Sequence, residues 1–265
     1  MNAFSAFILM ISLNALPFLP SRALSQIITS DCLWRIENPY PTGNILYSIW
    51  GSSDKDIYIV GGMGTMVHFD GLSWTTVKSG RTLSSACIWG SSSSDIFVVG
   101  NSGIIIHYNG MIWSQLVSGT TEELLSAWGT SSTNVFVGTA TGCILHYNGR
   151  TWNLETTDSI WPIRKIWGFS ETDIFAVGDN SAVLHYNGAK WSTIHLWGNE
   201  NYYGVWGISS IDLFLEGDDL YGEGIIVHYD GKTFNQQVSV RNYLRGIWGS
   251  AHSKYRLVYL SQVYS

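Results

Sequence analysis

Apolar residues in this chain come in short runs broken by polar turns, without the 3.6-residue spacing of an amphipathic helix. The stretch Ile88 to Trp113, IWGSSSSDIFVVGNSGIIIHYNGMIW, shows the pattern most clearly. β-Branched and aromatic residues fill the runs, and Ser, Asn, Asp and Gly fill the breaks. The expected elements are a first strand ending at Trp89, a second over Asp95 to Val99, and a third over Ile104 to Tyr108. Asn109-Gly110 then opens a hairpin into a fourth strand around Trp113.

The rest of the chain nearly copies this unit. Trp-Gly recurs at Trp50, Trp89, Trp128, Trp167, Trp206 and Trp248, in steps of 39, 39, 39, 39 and 42. His68, His107, His146, His185 and His228 step by 39, 39, 39 and 43. Four antiparallel strands in a period near 40 predict one blade of a β-propeller, not a helical solenoid. The fold class is therefore all-β, with blades starting near residues 45, 84, 123, 162, 201 and 243. The sixth copy loses the pattern after Trp248, where Lys254 stands in the place of Asp95. At the other end Trp34 lies 16 residues before Trp50, matching the fourth-strand Trp74, Trp113, Trp152 and Trp191, each 15 before the next Trp-Gly. Residues 30–38 are thus expected to complete the last blade of a six-bladed ring, and closure removes exposed sheet edges. The alternative is a truncated seven- or eight-bladed propeller.

Residues 1–25 carry one charge, Arg22, and an apolar run from Phe4 to Leu19, too short and too interrupted to span a bilayer. Ala23-Leu24-Ser25 supplies small residues for cleavage, so 1–25 is expected to be a signal peptide, though no Lys or Arg precedes the apolar core, and an uncleaved membrane anchor is the alternative. Residues 26–265 then form a single propeller domain, secreted, periplasmic or at the cell surface, with no membrane insertion after signal removal. With 14 basic against 20 acidic residues there is no clustered positive charge for nucleic acid. Cys32, Cys87 and Cys143 fall at unmatched repeat positions; Cys87 and Cys143 are expected to be buried thiols outside any disulfide framework.

The repeated residues read as architecture. Third-strand histidines in neighbouring copies, with strands about 4.8 Å apart, stand on the order of 10 Å from one another. A zinc ion needs its nitrogens at about 2.0–2.1 Å, so no metal or other cofactor is expected, and each His is assigned a structural hydrogen bond. Asp56, Asp95, Asp173 and Asp212, with Asn134 in the third copy, are expected to accept backbone N–H groups of the preceding turn.

The unit W-G-S-S-x-x-D-I-F-x-V-G-x-x-G-x-I-x-H-Y-N/D-G-x-x-W resembles secreted bacterial β-propellers grouped with the BNR-like and photosystem II assembly-factor-like repeats. The resemblance covers Trp34 to about Ser250 and implies a binding or assembly role, with sialidases sharing the fold. The sialidase Asp-box, S-x-D-x-G-x-x-W, is only approximated by Phe69-Asp70-Gly71-Leu72-Ser73-Trp74, where Asp and Gly are adjacent.

What departs from the repeat marks the candidate site, because function on repeat folds concentrates in loops on one face. The non-repeat Trp161 and Trp197 lie in loops from fourth to first strands. Arg164, Tyr202, Tyr203, Arg241 and Arg245 are close by in sequence, and Tyr221 sits in an acidic insertion with Asp218, Asp219 and Glu223. Aromatic rings and guanidinium groups suit a glycan or an acidic peptide, so a non-catalytic binding propeller, active as a monomer, is the leading expectation. The alternatives are a sialidase-like glycoside hydrolase and a structural or truncated copy without a ligand. For a hydrolase Asp218, Asp219 and Glu223 with Arg164, Arg241 and Arg245 are the only candidates, and no G-x-S-x-G, H-E-x-x-H or phosphate loop occurs.

Overall fold

The computed structural model describes residues 42–78, 84–194, 196, 198–241, 244–250 and 253–259. Five antiparallel four-stranded sheets follow one another, their strands hydrogen-bonded in chain order. They are β1 (Leu46–Ser53), β2 (Asp56–Gly61), β3 (Met66–Phe69) and β4 (Trp74–Thr76); then β5 (Ser85–Ser92), β6 (Asp95–Gly100), β7 (Ile105–Tyr108) and β8 (Trp113–Leu116). Next come β9 (Leu124–Ser131), β10 (Asn134–Thr139), β11 (Ile144–Tyr147) and β12 (Trp152–Glu155), and β13 (Ile163–Ser170), β14 (Asp173–Gly178), β15 (Val183–Tyr186) and β16 (Trp191–Thr193). The fifth sheet is β17 (Asn201–Ser209), β18 (Asp212–Asp218), β19 (Gly224–Tyr229) and β20 (Phe234–Val240), and a two-stranded sheet pairs β21 (Leu244–Ser250) with β22 (Ser253–Tyr259). The first strands pack side by side in the order β1, β5, β9, β13, β17, β21, which makes them the inner wall of an all-β propeller. Trp34, the leader and Cys32 lie outside the described residues.

The core lies between blades. Along β6 the two-residue period sends Ile96 and Val98 toward the first blade, where they join Tyr58, Val60 and Met66. Phe97 and Val99 point the other way, to Leu124, Val135 and Leu145 of the third. Equivalent cores join the third blade to the fourth and the fourth to the fifth. A second strand buried on both faces reads as the unbroken run DIFVV, where a half-exposed strand would alternate.

The Trp-Gly dipeptide has an inter-blade cause. At four of the five junctions the indole of one copy covers the glycine of the next: a Cβ on Gly90 would stand 2.7 Å from Trp50 Cζ2, and one on Gly129 would stand 2.9 Å from Trp89 Cη2. Gly168 meets Trp128, and Gly249 meets Trp206, in the same way. Farther out, the fourth-strand Trp packs edge-on against the second-strand aromatic of the preceding blade: Trp113 on Tyr58, Trp152 on Phe97 and Trp191 on Phe136, with centroids 5.9–6.2 Å apart. The third-to-fourth hairpins turn at Gly71, Gly110, Gly149, Gly188 and Gly231, all at φ between 86° and 90°, where a Cβ is disfavoured. Within these turns the N–H groups of Ser73 and Leu72 hold the Asp70 carboxyl below its ordinary range, and those of Thr233 and Lys232 do so for Asp230.

The repeated His is bonded within its own blade. Nε2 of His68, His107, His185 and His228 lies 2.6–2.8 Å from the carboxylate of Asp56, Asp95, Asp173 and Asp212, and each ring lies over the second-strand aromatic at 4.1–4.5 Å. The turn-capping role expected of these Asp residues belongs instead to the second serine of the Trp-Gly-x-Ser unit: Ser53, Ser92, Ser131 and Ser170 accept the backbone N–H two residues on. The Asp side chain starts the second strand, so it faces across the ladder to the His and back to the preceding hydroxyl, Ser52 or Ser91. In the third blade Asn134 keeps the contact to His146 at 2.7 Å, and Glu155 supplies the carboxylate, reaching His146 Nδ1 at 3.0 Å and accepting from Trp191 Nε1 at 2.9 Å. His107→Ala should cost about 1–3 kcal/mol in urea denaturation, since it takes one partner from a buried carboxylate and leaves it the Ser91 hydroxyl. His228→Ala should cost less, because the Asp212 side chain is 38% exposed against 13% for Asp95. Metal content of the purified protein should be the same in both variants and the parent.

Candidate functional site

Pairing between first and second strands skips one residue in all six inner strands, always three before the Trp-Gly. The skipped residues are Tyr47, Ala86, Leu125, Arg164, Tyr203 and Arg245. Each is a β-bulge, which takes a side chain out of the ladder and re-aims it. Residues just before the bulge are core, as at Leu124, Ile163, Tyr202 and Leu244, while Tyr47 is exposed and Ala86, Leu125, Arg164 and Tyr203 are half-buried. The bulges therefore present one residue per blade near the axis, on the face that carries the second-to-third turns and the fourth-to-first connections.

In the first three blades these positions hold Tyr47, Ala86 and Leu125, and the charged ones, Arg164 and Arg245, begin at the fourth. Arg164 makes a two-point contact with Asp179, Nε to Oδ1 at 2.8 Å and Nη2 to Oδ2 at 2.7 Å. The hydrogen bond to Asp179 raises the guanidinium pKa above its ordinary value, so its charge is fixed and largely neutralised locally. One blade on, the Tyr203 hydroxyl lies 3.1 Å from both oxygens of Asp218, and Asn201 Nδ2 lies 3.3 Å from Oδ1. Arg164 to Asp179 and Tyr203 to Asp218 are both 15 residues apart, so the same two repeat positions meet in each blade.

Around them the connections are tied to the turns. Glu122 accepts Gly103 N–H through its carbonyl at 2.6 Å and bonds Thr141 through its carboxylate, linking the second and third blades. Ser181 N–H donates to the Glu200 carbonyl at 2.6 Å and its hydroxyl to the Glu200 carboxylate at 2.5 Å. The loop before β13 is held by Thr157 Oγ1 on the Gly142 carbonyl at 2.7 Å and presents Trp161 at 43% exposure. Tyr221, at the tip of the insertion, is 91% exposed beside the exposed Leu220.

Of the residues singled out from sequence, Arg164, Tyr203 and Arg245 share the bulge position, while Trp161, Tyr221 and Arg241 are exposed on connections and turns of the same face. Trp197 lies outside the described residues. Tyr202 must be withdrawn. It is 2% exposed in the core between the fourth and fifth blades, and burial raises its phenol pKa. The bulge turns Tyr203 out and so leaves Tyr202 facing in. Among the acids proposed for hydrolysis, Asp219 accepts the N–H groups of Tyr221 and Glu223, and Glu223 accepts Ser239 Oγ at 2.8 Å. The Ser-Asp-His chains of the first two blades are not arranged for nucleophilic attack either: Ser and His each bond the Asp and not one another. Among the described residues no three His, Cys, Asp or Glu side chains converge as metal ligands, and no helix is long and apolar enough to cross a membrane. Cys87 is buried and Cys143 half-buried, both as free thiols.

Sequence reasoning missed Asp179, whose only signal was its 15-residue spacing from Arg164. It also missed Glu216, fully buried at a position occupied by Val60, Val99 and Val177 in other blades, with its carboxylate over Gly204 and beside Ile247. A surface cavity of about 530 Å³ lies against the second blade, between Ser102 and the loop Val117 to Thr121, and contains none of the candidate residues.

Compared by sequence, the chain matches no protein-family model and no curated protein. Compared by structure, it is a β-propeller like several solved ones. It resembles YCF48 bound to D1 peptide, with a TM-score of 0.52 and 13% identity over 83% of this chain and 90% of that one. It is also similar to the extracellular domain of BT4673 from B. thetaiotaomicron, with a TM-score of 0.65 and 13% identity, covering 81% of this chain and 31% of that one. The WD40 repeats of RRP9 match with a TM-score of 0.64 and 8% identity, over 78% and 70% of the two chains. At such identities the likeness shows the fold alone.

Proposed function

We propose that this chain is an exported, non-catalytic interaction propeller that holds a segment of another protein on the loop face of its fourth to sixth blades. The carrying observation is the change along the bulge series, from Tyr47, Ala86 and Leu125 to Arg164, Tyr203 and Arg245, on the face where Trp161 and Tyr221 are exposed. Large exposed aromatics beside fixed polar groups are the usual makings of a protein-binding patch. Solved propellers of the same fold include one bound to a peptide, YCF48 with D1 peptide. Export rests on the apolar leader within residues 1–25. The pairing of Arg164 with Asp179 weighs against an anionic sugar, since the guanidinium already has its carboxylate.

Panning the protein from residue 26 onward against a displayed library of random peptides tests the reading. Recovered peptides should lose about 1–3 kcal/mol of binding on Trp161→Ala and none on Met111→Ala, an exposed residue of the opposite hairpins. Binding confined to glycans on an array, lost in Trp161→Ala, would replace the protein partner with a carbohydrate. Equal loss in both variants would remove the site from this face.

A further inference from the structure

The fourth and fifth blades repeat one arrangement with one difference. Each places a carboxylate directly after the final glycine of its second strand, Asp179 after Gly178 and Asp218 after Gly217, and each aims it at the bulge residue 15 positions earlier. In the fourth blade that residue is Arg164, and both carboxylate oxygens receive guanidinium N–H donors at 2.7–2.8 Å. In the fifth it is Tyr203, which has a single O–H to share between two oxygens at 3.1 Å, with Asn201 contributing one longer bond at 3.3 Å. Asp218 is the more buried of the two, at 6% exposure, yet among the described residues its partners are neutral. A carboxylate withdrawn from water is stabilised far more by a cation than by a phenol.

We infer that Asp218, with Tyr203 beside it, seats an arginine or lysine side chain of the partner protein, which brings to Asp218 the positive charge that Arg164 brings to Asp179 within the fourth blade. The inference rests on the interaction-propeller reading and specifies the partner: a basic segment, not an acidic one. Surrounding charge is mixed but acidic in balance: Glu122, Glu123, Glu200, Asp219 and Glu223 lie on the connections and turns of this face, against Lys78 and Arg241. Trp161 and Tyr221, exposed on the same face, are then suited to the flanking residues of the segment.

Tyr203→Arg would rebuild within the fifth blade the pair seen in the fourth, and it tests the seat without any ligand. The variant should melt at a higher temperature than the parent, and the gain should vanish in Tyr203→Arg with Asp218→Asn. A melting temperature unchanged or lowered by Tyr203→Arg alone would mean that Asp218 does not accept a guanidinium here, and would overturn the inference. The second arm uses the peptides recovered by panning, each resynthesised with citrulline for Arg and norleucine for Lys. On the parent protein, one such replacement should weaken binding about tenfold or more, and on Tyr203→Arg and Asp218→Asn the same replacement should make little difference. Peptides that bind equally well without their basic residue would refute the seat and leave the interaction propeller standing. Recovery of no peptide at all would overturn the interaction reading, and the partner claim with it.

Discussion

Trp128→Ala should cost about 3–5 kcal/mol in equilibrium unfolding, the loss expected for a large aromatic at a packed interface. The reason lies in the next blade: three indole carbons of Trp128 stand 2.5–3.0 Å from where a Cβ on Gly168 would be. Gly168→Ala should therefore cost about 1–3 kcal/mol by overpacking, although alanine is the smallest possible change. The two effects share one contact and should not add. In the double variant the added methyl meets the space left by the indole, so the combined loss should be clearly smaller than the sum. Strict additivity would show that Trp128 is held by its own blade and that the Trp-Gly pairing across blades is incidental.

Deleting residues 30–41 from the chain starting at residue 26 should cost about 3–6 kcal/mol, the scale of uncovering two or three large apolar side chains. On β1, Leu46 is 42% exposed, with Ile45 and Tyr47 more so, whereas its counterparts Leu124, Ile163, Tyr202 and Leu244 are 0–2% exposed. Leu124, Ile163 and Tyr202 are each covered by the blade before them, and the first blade has no such cover among the described residues. We propose that the sheet begun by β21 and β22, with Trp34 in its outer strand, supplies it. Trp34→Ala should then reproduce a large part of the loss. A thermal transition unmoved by the deletion would sink this closure.

Much of this architecture was legible because it repeats. A single blade offers ambiguous short runs, but the same run at one spacing in five copies fixes strand number and strand order together and marks the repeated Trp, Gly and His as architectural. The bulges were not legible. Tyr202 and Tyr203 are chemically alike and adjacent, and only the skipped register at β17 decides that the first enters the core and the second leaves it. The fate of Arg164 was hidden for a related reason: sequence marked it as an unusual cation but could not say that Asp179 neutralises it.

By itself the sequence determined the all-β class, the four-stranded unit and the face on which departures from the repeat collect. These follow from local periodicity and turn chemistry, which act over a few residues and recur at every copy. Tertiary structure alone decided which carboxylate meets which bulge residue, and that the indole of one blade rests on the glycine of the next. Those contacts join positions 15 and 40 or 43 residues apart, where the distance between side chains is set by strand register and blade packing and leaves no trace in the pattern of apolar and polar residues.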